Sequence, residues 1–208
     1  MFRVHLQLNV CRMKNWTLSF TLVVTAPAFL ACANEAAPLR EVTSEVMMTS
    51  ATDTTLAIAT EMGVLNARMP LDGLITAGQP TQEQFEALRS SGLEHFVSLR
   101  PVTEDGAGWE EALLATGGFA FDRLPISGTN SLTRENVEVF AAIMAEVGEK
   151  RALLYCASSN RVGAMLALKA HWVDGESAEE ALEFGLSAGL TSLEGSVREL
   201  LGLAPRTP

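Results

Sequence analysis

Apolar positions between about residue 64 and residue 203 fall into two alternating patterns: short runs of three to five residues, and stripes spaced at helical intervals. The runs predict strands at Ala67–Met69, Leu74–Ala77, His95–Leu99, Phe119–Leu124 and Ala152–Tyr155. The first two flank the turn Pro70-Leu71-Asp72-Gly73, and Gly78-Gln79-Pro80 breaks the second. The stripes predict helices. Thr81 opens one, with Gln84 three residues on as its capping-box partner, Phe85, Ala87 and Leu88 inward, and Gly92 as its stop. Trp109–Thr116 is a second. Thr133–Val147 is the clearest, with Val137, Phe140, Met144 and Val147 on one stripe. An apolar helical run, Ala164–Trp172, follows the last strand. Ser177 and Glu180 form another capping box, and Leu193–Leu201 is a final short helix.

Strands that alternate with helices imply an α/β domain: a mostly parallel central sheet with helices on both faces, in three layers. In such sheets ligands lie beyond the carboxyl ends of the strands. The loops at that end carry Gln79, Arg100, Glu104, Asp105, Ser127, Thr129 and the segment after Tyr155.

That last segment, Cys156-Ala157-Ser158-Ser159-Asn160-Arg161-Val162-Gly163, carries the candidate chemistry. A strand ends in a cysteine, small and polar residues follow, and a helix begins. Amides in a helix's first turn have no internal partner and attract a negative group. Arg161 can fork onto two oxygens of an oxyanion. A sulfur at the mouth of such a cradle is favoured as its thiolate, the form that attacks phosphorus or sulfur.

Composition narrows the partners. The 208 residues carry a formal charge of −10 and no basic block, which argues against nucleic acid. The first 33 residues hold Arg3, Arg12 and Lys14 and no acid, and without them 12 basic side chains face 25 acidic ones. Any anion site must therefore be local. Lys14, the apolar run Leu18–Ala31 and Ala31-Cys32-Ala33 read as a signal peptide over residues 1–33, with Met13 as the natural start. Soluble periplasmic export or secretion is expected, with a lipid anchor at Cys32 as the alternative. Residues 34–63 read as a tether with room for one weak helix, 64–203 as the folded domain, and 204–208 as a frayed tail. Cleavage leaves Cys156 as the one cysteine of the mature chain, so it has no intramolecular disulfide partner. No glycine-rich dinucleotide fingerprint or metal-ligand cluster is present, and no cofactor or metal is expected.

From about Asn66 to Gly202 the chain resembles the bacterial tyrosine/dual-specificity phosphatase-like family, including the phosphatase-like domain attached to beta-lactamase-like hydrolases. The resemblance rests on Thr76-Ala77-Gly78-Gln79-Pro80, Val97-Ser98-Leu99-Arg100-Pro101, Leu124-Pro125-Ile126, Tyr155-Cys156 through Arg161, and Ala188-Gly189-Leu190-Thr191-Ser192-Leu193-Glu194. It implies a cysteine-phosphatase fold. Cys156 would be the nucleophile and Arg161 would hold phosphoryl oxygens. The amides of Ala157, Ser158, Ser159, Asn160 and Arg161 would complete the cradle, and Arg100 would add charge. Phosphoesters or phosphoproteins would be the substrates. The sequence departs from the family pattern at four places: Tyr155 stands for a histidine, Ser159 for a glycine, Val162 for a hydroxyl residue, and Cys156 and Arg161 are separated by four residues instead of five. No aspartate follows Ile126, so Asp105, or Glu104 beside it, is the candidate general acid. Two other readings stay open. The short loop suits a rhodanese-like sulfurtransferase carrying a persulfide on Cys156, with a small sulfur compound as partner. Ser159 and Val162 suit an inactive module that binds an anion or a partner.

Overall fold

The structure, a computed structural model, describes residues 54–114, 117 and 119–206. The expected signal peptide, the Cys32 anchor and residues 34–53 of the expected tether lie outside the described residues. Among the described residues no helix is long and apolar enough to cross a membrane.

Five strands form one sheet in the order β1-β2-β5-β3-β4. β1 (Arg68–Leu71) and β2 (Leu74–Ala77) make an antiparallel hairpin. Its turn is Asp72-Gly73, and Gly73 adopts φ 75°, which its missing Cβ makes inexpensive. β3 (His95–Ser98), β4 (Ala120–Arg123) and β5 (Ala152–Tyr155) run parallel to β2, with β5 central between β2 and β3. This is the mostly parallel sheet that the alternating pattern predicts. All four residues of β2, β3 and β5 are buried, as strands covered on both faces require.

Side-chain alternation along the strands divides the core in two. Ile75, Ala77, Phe96, Leu153 and Tyr155 pack on one face, under α1 (residues 54–61), α2 (Gln82–Ser90) and α3 (Glu110–Leu114). Leu74, Val97, Leu99, Ala152, Leu154 and Cys156 belong to the other core, with α4 (Arg134–Val147), α5 (Asn160–Trp172), α6 (Ala178–Ser187) and α7 (Glu194–Leu200). The expected stripe on α4 is met: Val137, Phe140 and Val147 are buried, and Met144 is partly so. Both expected capping boxes are present, Thr81 with Gln84 and Ser177 with Glu180.

One sequence expectation needs correction. The folded body does not begin at Val64. Residues 54–61 are helical, Thr55 and Ala59 are buried, and Ala59 joins the α2-side core with Leu56 and Ile58 packed against it. Low periodicity over a single short helix hid this. On the strands, His95 Nε2 lies 2.6 Å from Asp122 Oδ2 of the neighbouring strand.

α5 owes its position to two glycines. A Cβ on Gly163 would press on the backbone of Leu190 and lie 2.5 Å from Gly185 O, and a Cβ on Gly185 would lie 2.7 Å from Gly163 O. The helices α5 and α6 touch backbone to backbone here. Gly163→Val is expected to destabilise the fold by about 2–3 kcal/mol through overpacking, lowering Tm by about 5–10 °C. An unchanged thermal midpoint would show that the helices do not meet this closely.

Candidate active site

The loop after β5 is fixed at both ends. The Cys156 amide donates to Ala77 O at 3.3 Å, and Ser158 makes an antiparallel bridge with Gly78. Asn66 Nδ2 donates to Ser158 O at 3.0 Å. Ser159 adopts a left-handed backbone at φ 68°, a conformation that favours glycine. Its side chain is buried away from the cradle, with Oγ donating to Ala188 O at 2.8 Å. The Ser159 hydroxyl thus helps to hold a conformation that costs a non-glycine residue about 1 kcal/mol or more.

Spending that hydroxyl on Ala188 leaves α5 without a side-chain cap. Thr81, Thr133 and Ser177 each cap their helices with an oxygen, but no side chain does so here. The first intrahelical bond is from Gly163 N to Ser159 O, so the amides of Asn160, Arg161 and Val162 precede the helical ladder. Ala157 is exposed and Ser158 half-buried at the cradle's rim. The Asn160 side chain serves another purpose. It accepts from the amides of Thr191 and Leu193 and donates to Ser192 Oγ, tying α5 to the loop before α7.

Cys156 is 1% exposed and belongs to the core on the α4–α5 side. The thiol is not sealed among hydrocarbon alone, because the Arg161 guanidinium and the sulfur interact electrostatically. Arg161 itself is anchored. Its Nη1 donates to Glu104 Oε1 and to Ile126 O, both at 2.6 Å, and its Nη2 donates to Glu104 Oε2 at 2.8 Å. A guanidinium has five N–H donors. These three bonds use the Nη1–Nη2 edge and leave Nε–H and the second Nη2–H, which form the other parallel fork.

Glu104 carries a second arginine. Arg100 Nε donates to Oε2 at 2.9 Å, Nη1 to Gln79 Oε1 at 3.0 Å, and Nη2 to Asp105 O at 2.6 Å. Two guanidiniums to one carboxylate leave net positive charge at the cradle of a chain whose formal charge is −10. The Arg161 bonds, helped by Arg100 and opposed by burial, hold Glu104 at a pKa of about 2. Burial disfavours charge on Arg161, but Glu104 and the Cys156 sulfur outweigh it and raise its pKa, so it stays cationic.

The sequence-predicted residues are thus brought together in part. Arg100 and Arg161 meet on Glu104, and Cys156 lies within electrostatic reach of Arg161. Asp105 does not join them. It is exposed and offers Arg100 only its main-chain oxygen. Glu104, weighed in the sequence as a proton donor, is an arginine-bound carboxylate instead. Tyr155 alternates to the opposite face of the sheet, where its hydroxyl donates to Glu110 Oε1 at 3.1 Å. Burial, then the charge of Glu110, pushes its pKa well up, so the phenol stays protonated. Glu110 and Arg123 were not legible as site-supporting residues. Glu110 is fully buried and also receives Gln79 Nε2, Arg123 Nη2 and the Gly108 amide. The sole sequence signal was an acid opening a helix after two glycines.

No family model matches the chain, and no curated protein matches it. Solved structures do. A DUF442 protein of Shewanella putrefaciens CN-32, named as an expected phosphatase, superposes with a TM-score of 0.55 at 20% identity, over 70% of this chain and 96% of its own. A protein of Neisseria meningitidis Z2491, also named as an expected phosphatase, gives 0.52 at 17% identity, over 65% and 96%. The likeness establishes the cysteine-phosphatase fold, with the core of this chain spanning nearly the whole of each neighbour.

Because Glu104 is held below its ordinary value of 4.5, its contribution to stability is complete above that value and is lost as pH falls towards 2. Acid titration of unfolding should show wild-type stability dropping through that window. Glu104→Gln should be less stable at neutral pH and lack that share of the acid slope. Parallel acid curves for the two proteins would mean that the carboxylate is not paired as described.

Proposed function

We propose that this chain is an exported cysteine-dependent phosphatase whose nucleophile is Cys156. The observation that supports the reading best is Arg161. It is bolted to Glu104 and Ile126, interacts electrostatically with the sulfur, and keeps its Nε–Nη2 fork for an oxyanion. Uncapped amides at the start of α5 lie in the same loop. Together these supply charge and alignment, which phosphoryl transfer needs more than covalent chemistry.

In this reading the phosphoryl group enters with two oxygens on the Nε–Nη2 fork of Arg161 and a third towards the amides of Asn160 and Val162. The Cys156 thiolate attacks phosphorus in line, the S–P bond forms, and the P–O bond to the leaving group breaks. Water then attacks the phosphocysteine, releasing phosphate and restoring the thiolate. Val162 brings no hydroxyl to help the sulfur leave, so the second step is expected to be the slower one. Phosphoesters, as small molecules or on proteins, are the substrate class. Export rests on residues 1–33 alone. N-terminal sequencing of the mature protein should begin at Asn34 for the soluble form, or show a blocked, acylated Cys32 for the anchored one.

Purified protein is expected to release p-nitrophenolate from p-nitrophenyl phosphate with an initial burst of about one equivalent per site. Cys156→Ser should abolish turnover. Arg161→Lys, which keeps the charge but loses the fork, should cost about 10²–10³-fold in kcat/KM. Wild-type rates in Cys156→Ser would end the reading.

A further inference from the structure

Resting on the phosphatase reading above, we infer that the site is built for phosphoryl donors whose leaving group departs as a stable anion without receiving a proton. These are esters of acidic phenols and phosphoanhydrides, as opposed to the alkyl phosphates of serine or threonine. The inference comes from where the carboxyl groups at the site's end of the sheet are engaged.

Glu104 accepts two bonds from Arg161 and one from Arg100, so its oxygens face cations on both sides. Glu110 accepts from Tyr155, Gln79, Arg123 and the Gly108 amide, four donors on one fully buried carboxylate. Glu111 is bound by Arg123 through both its Nε and Nη2. Asp122 is paired with His95 on the strands. The bonds from Arg161 and Arg123 hold Glu104 and Glu111 below the ordinary carboxylate value, so these two have no proton to donate, and the oxygens of Glu110 and Asp122 are already engaged. Asp105 is turned to solvent.

The loop after Ile126 offers nothing ionisable in their place. Ser127, Gly128, Thr129, Asn130 and Ser131 line a hollow of about 320 Å³, directly following the carbonyl that Arg161 grips. Their hydroxyls and amide can hydrogen-bond a leaving group but cannot protonate it at neutral pH. Among the described residues, the surroundings of Cys156 are therefore equipped to stabilise the phosphoryl group and not to neutralise the oxygen it leaves.

The electron balance follows. The thiolate supplies the pair for the S–P bond, and the P–O pair departs with the leaving oxygen. That oxygen takes a proton from solvent only after release. A phenol ionises near pH 10, lower when nitro-substituted, and a phosphate leaving group is already an anion at neutral pH. An alcohol is far more basic, comparable with water at about 15.7. A positioned acid contributes about 10²–10⁴-fold, and that help is withheld here where it matters most.

The test is kcat/KM, which reports the first chemical step, for p-nitrophenyl phosphate, phenyl phosphate, inorganic pyrophosphate and O-phosphoserine. The expected result is a steep fall with leaving-group basicity, about tenfold per pKa unit across the aryl esters, with pyrophosphate hydrolysed and phosphoserine not detectably so. A flat aryl series, or phosphoserine cleaved as fast as phenyl phosphate, overturns this inference while leaving the phosphatase reading intact. An Asp105→Asn series markedly steeper than wild type also overturns it, because Asp105 would then be the acid. Absence of turnover on every substrate, p-nitrophenyl phosphate included, overturns both.

Discussion

Two parallel bonds between Arg161 and Glu104, 2.6 and 2.8 Å long, decide how the rest of the site is arranged. An arginine at the start of a helix has a long side chain with considerable rotamer freedom to lose. Left alone it would sample solvent, and the sulfur would sit in an apolar wall. The carboxylate fixes which edge of the guanidinium is occupied, and the carbonyl of Ile126 takes a further donor from the same side. The opposite edge is then presented without further ordering, which is what preorganised anion recognition requires. Removing either partner would leave the other desolvated and unpaired, so the pair is costly to break even if it adds little net stability.

Sheet topology makes this meeting possible. β3 lies beside β5, and the Leu99 amide donates to Tyr155 O just before both chains leave the sheet. The loop carrying Arg100 and Glu104 therefore starts next to the loop carrying Cys156 and Arg161. On the far face, Glu110 gathers Tyr155, Gln79 and Arg123 into a second network. Gln79 belongs to both, accepting from Arg100 and donating to Glu110. The ends of β2, β3, β4 and β5 are thus cross-linked by polar side chains from the two sides of the sheet. A buried carboxylate with four donors is well satisfied, and such networks favour one arrangement over looser ones.

The sequence made the architecture readable wherever periodicity was strong. β2, β5, α4 and the two capping boxes follow from apolar spacing and hydroxyl–carboxamide or hydroxyl–carboxylate pairs that act locally. The cradle was legible for the same reason: strand, loop and helix N-terminus are consecutive in the chain. The parts that escaped depend on contacts across long sequence distances. Glu104 lies 57 residues from Arg161, and Glu110 lies 45 from Tyr155. Nothing in the local pattern distinguishes a loop acid that binds an arginine from one that is solvated, so Asp105 and Glu104 could not be told apart. The helix over residues 54–61 read as at most a weak one within a tether, not as part of the folded body, because its inward residues, Thr55 and Ala59, are small and leave a faint stripe.

The direct test of this account is a crystal structure of the protein with tungstate, a tetrahedral oxyanion of phosphate's charge. The oxyanion should sit on the Nε–Nη2 edge of Arg161 above Cys156, with Glu104 still bonded to Nη1 and Nη2. An oxyanion that displaces Glu104 from the arginine, or one that binds only where Arg161 has swung away from the sulfur, would contradict it.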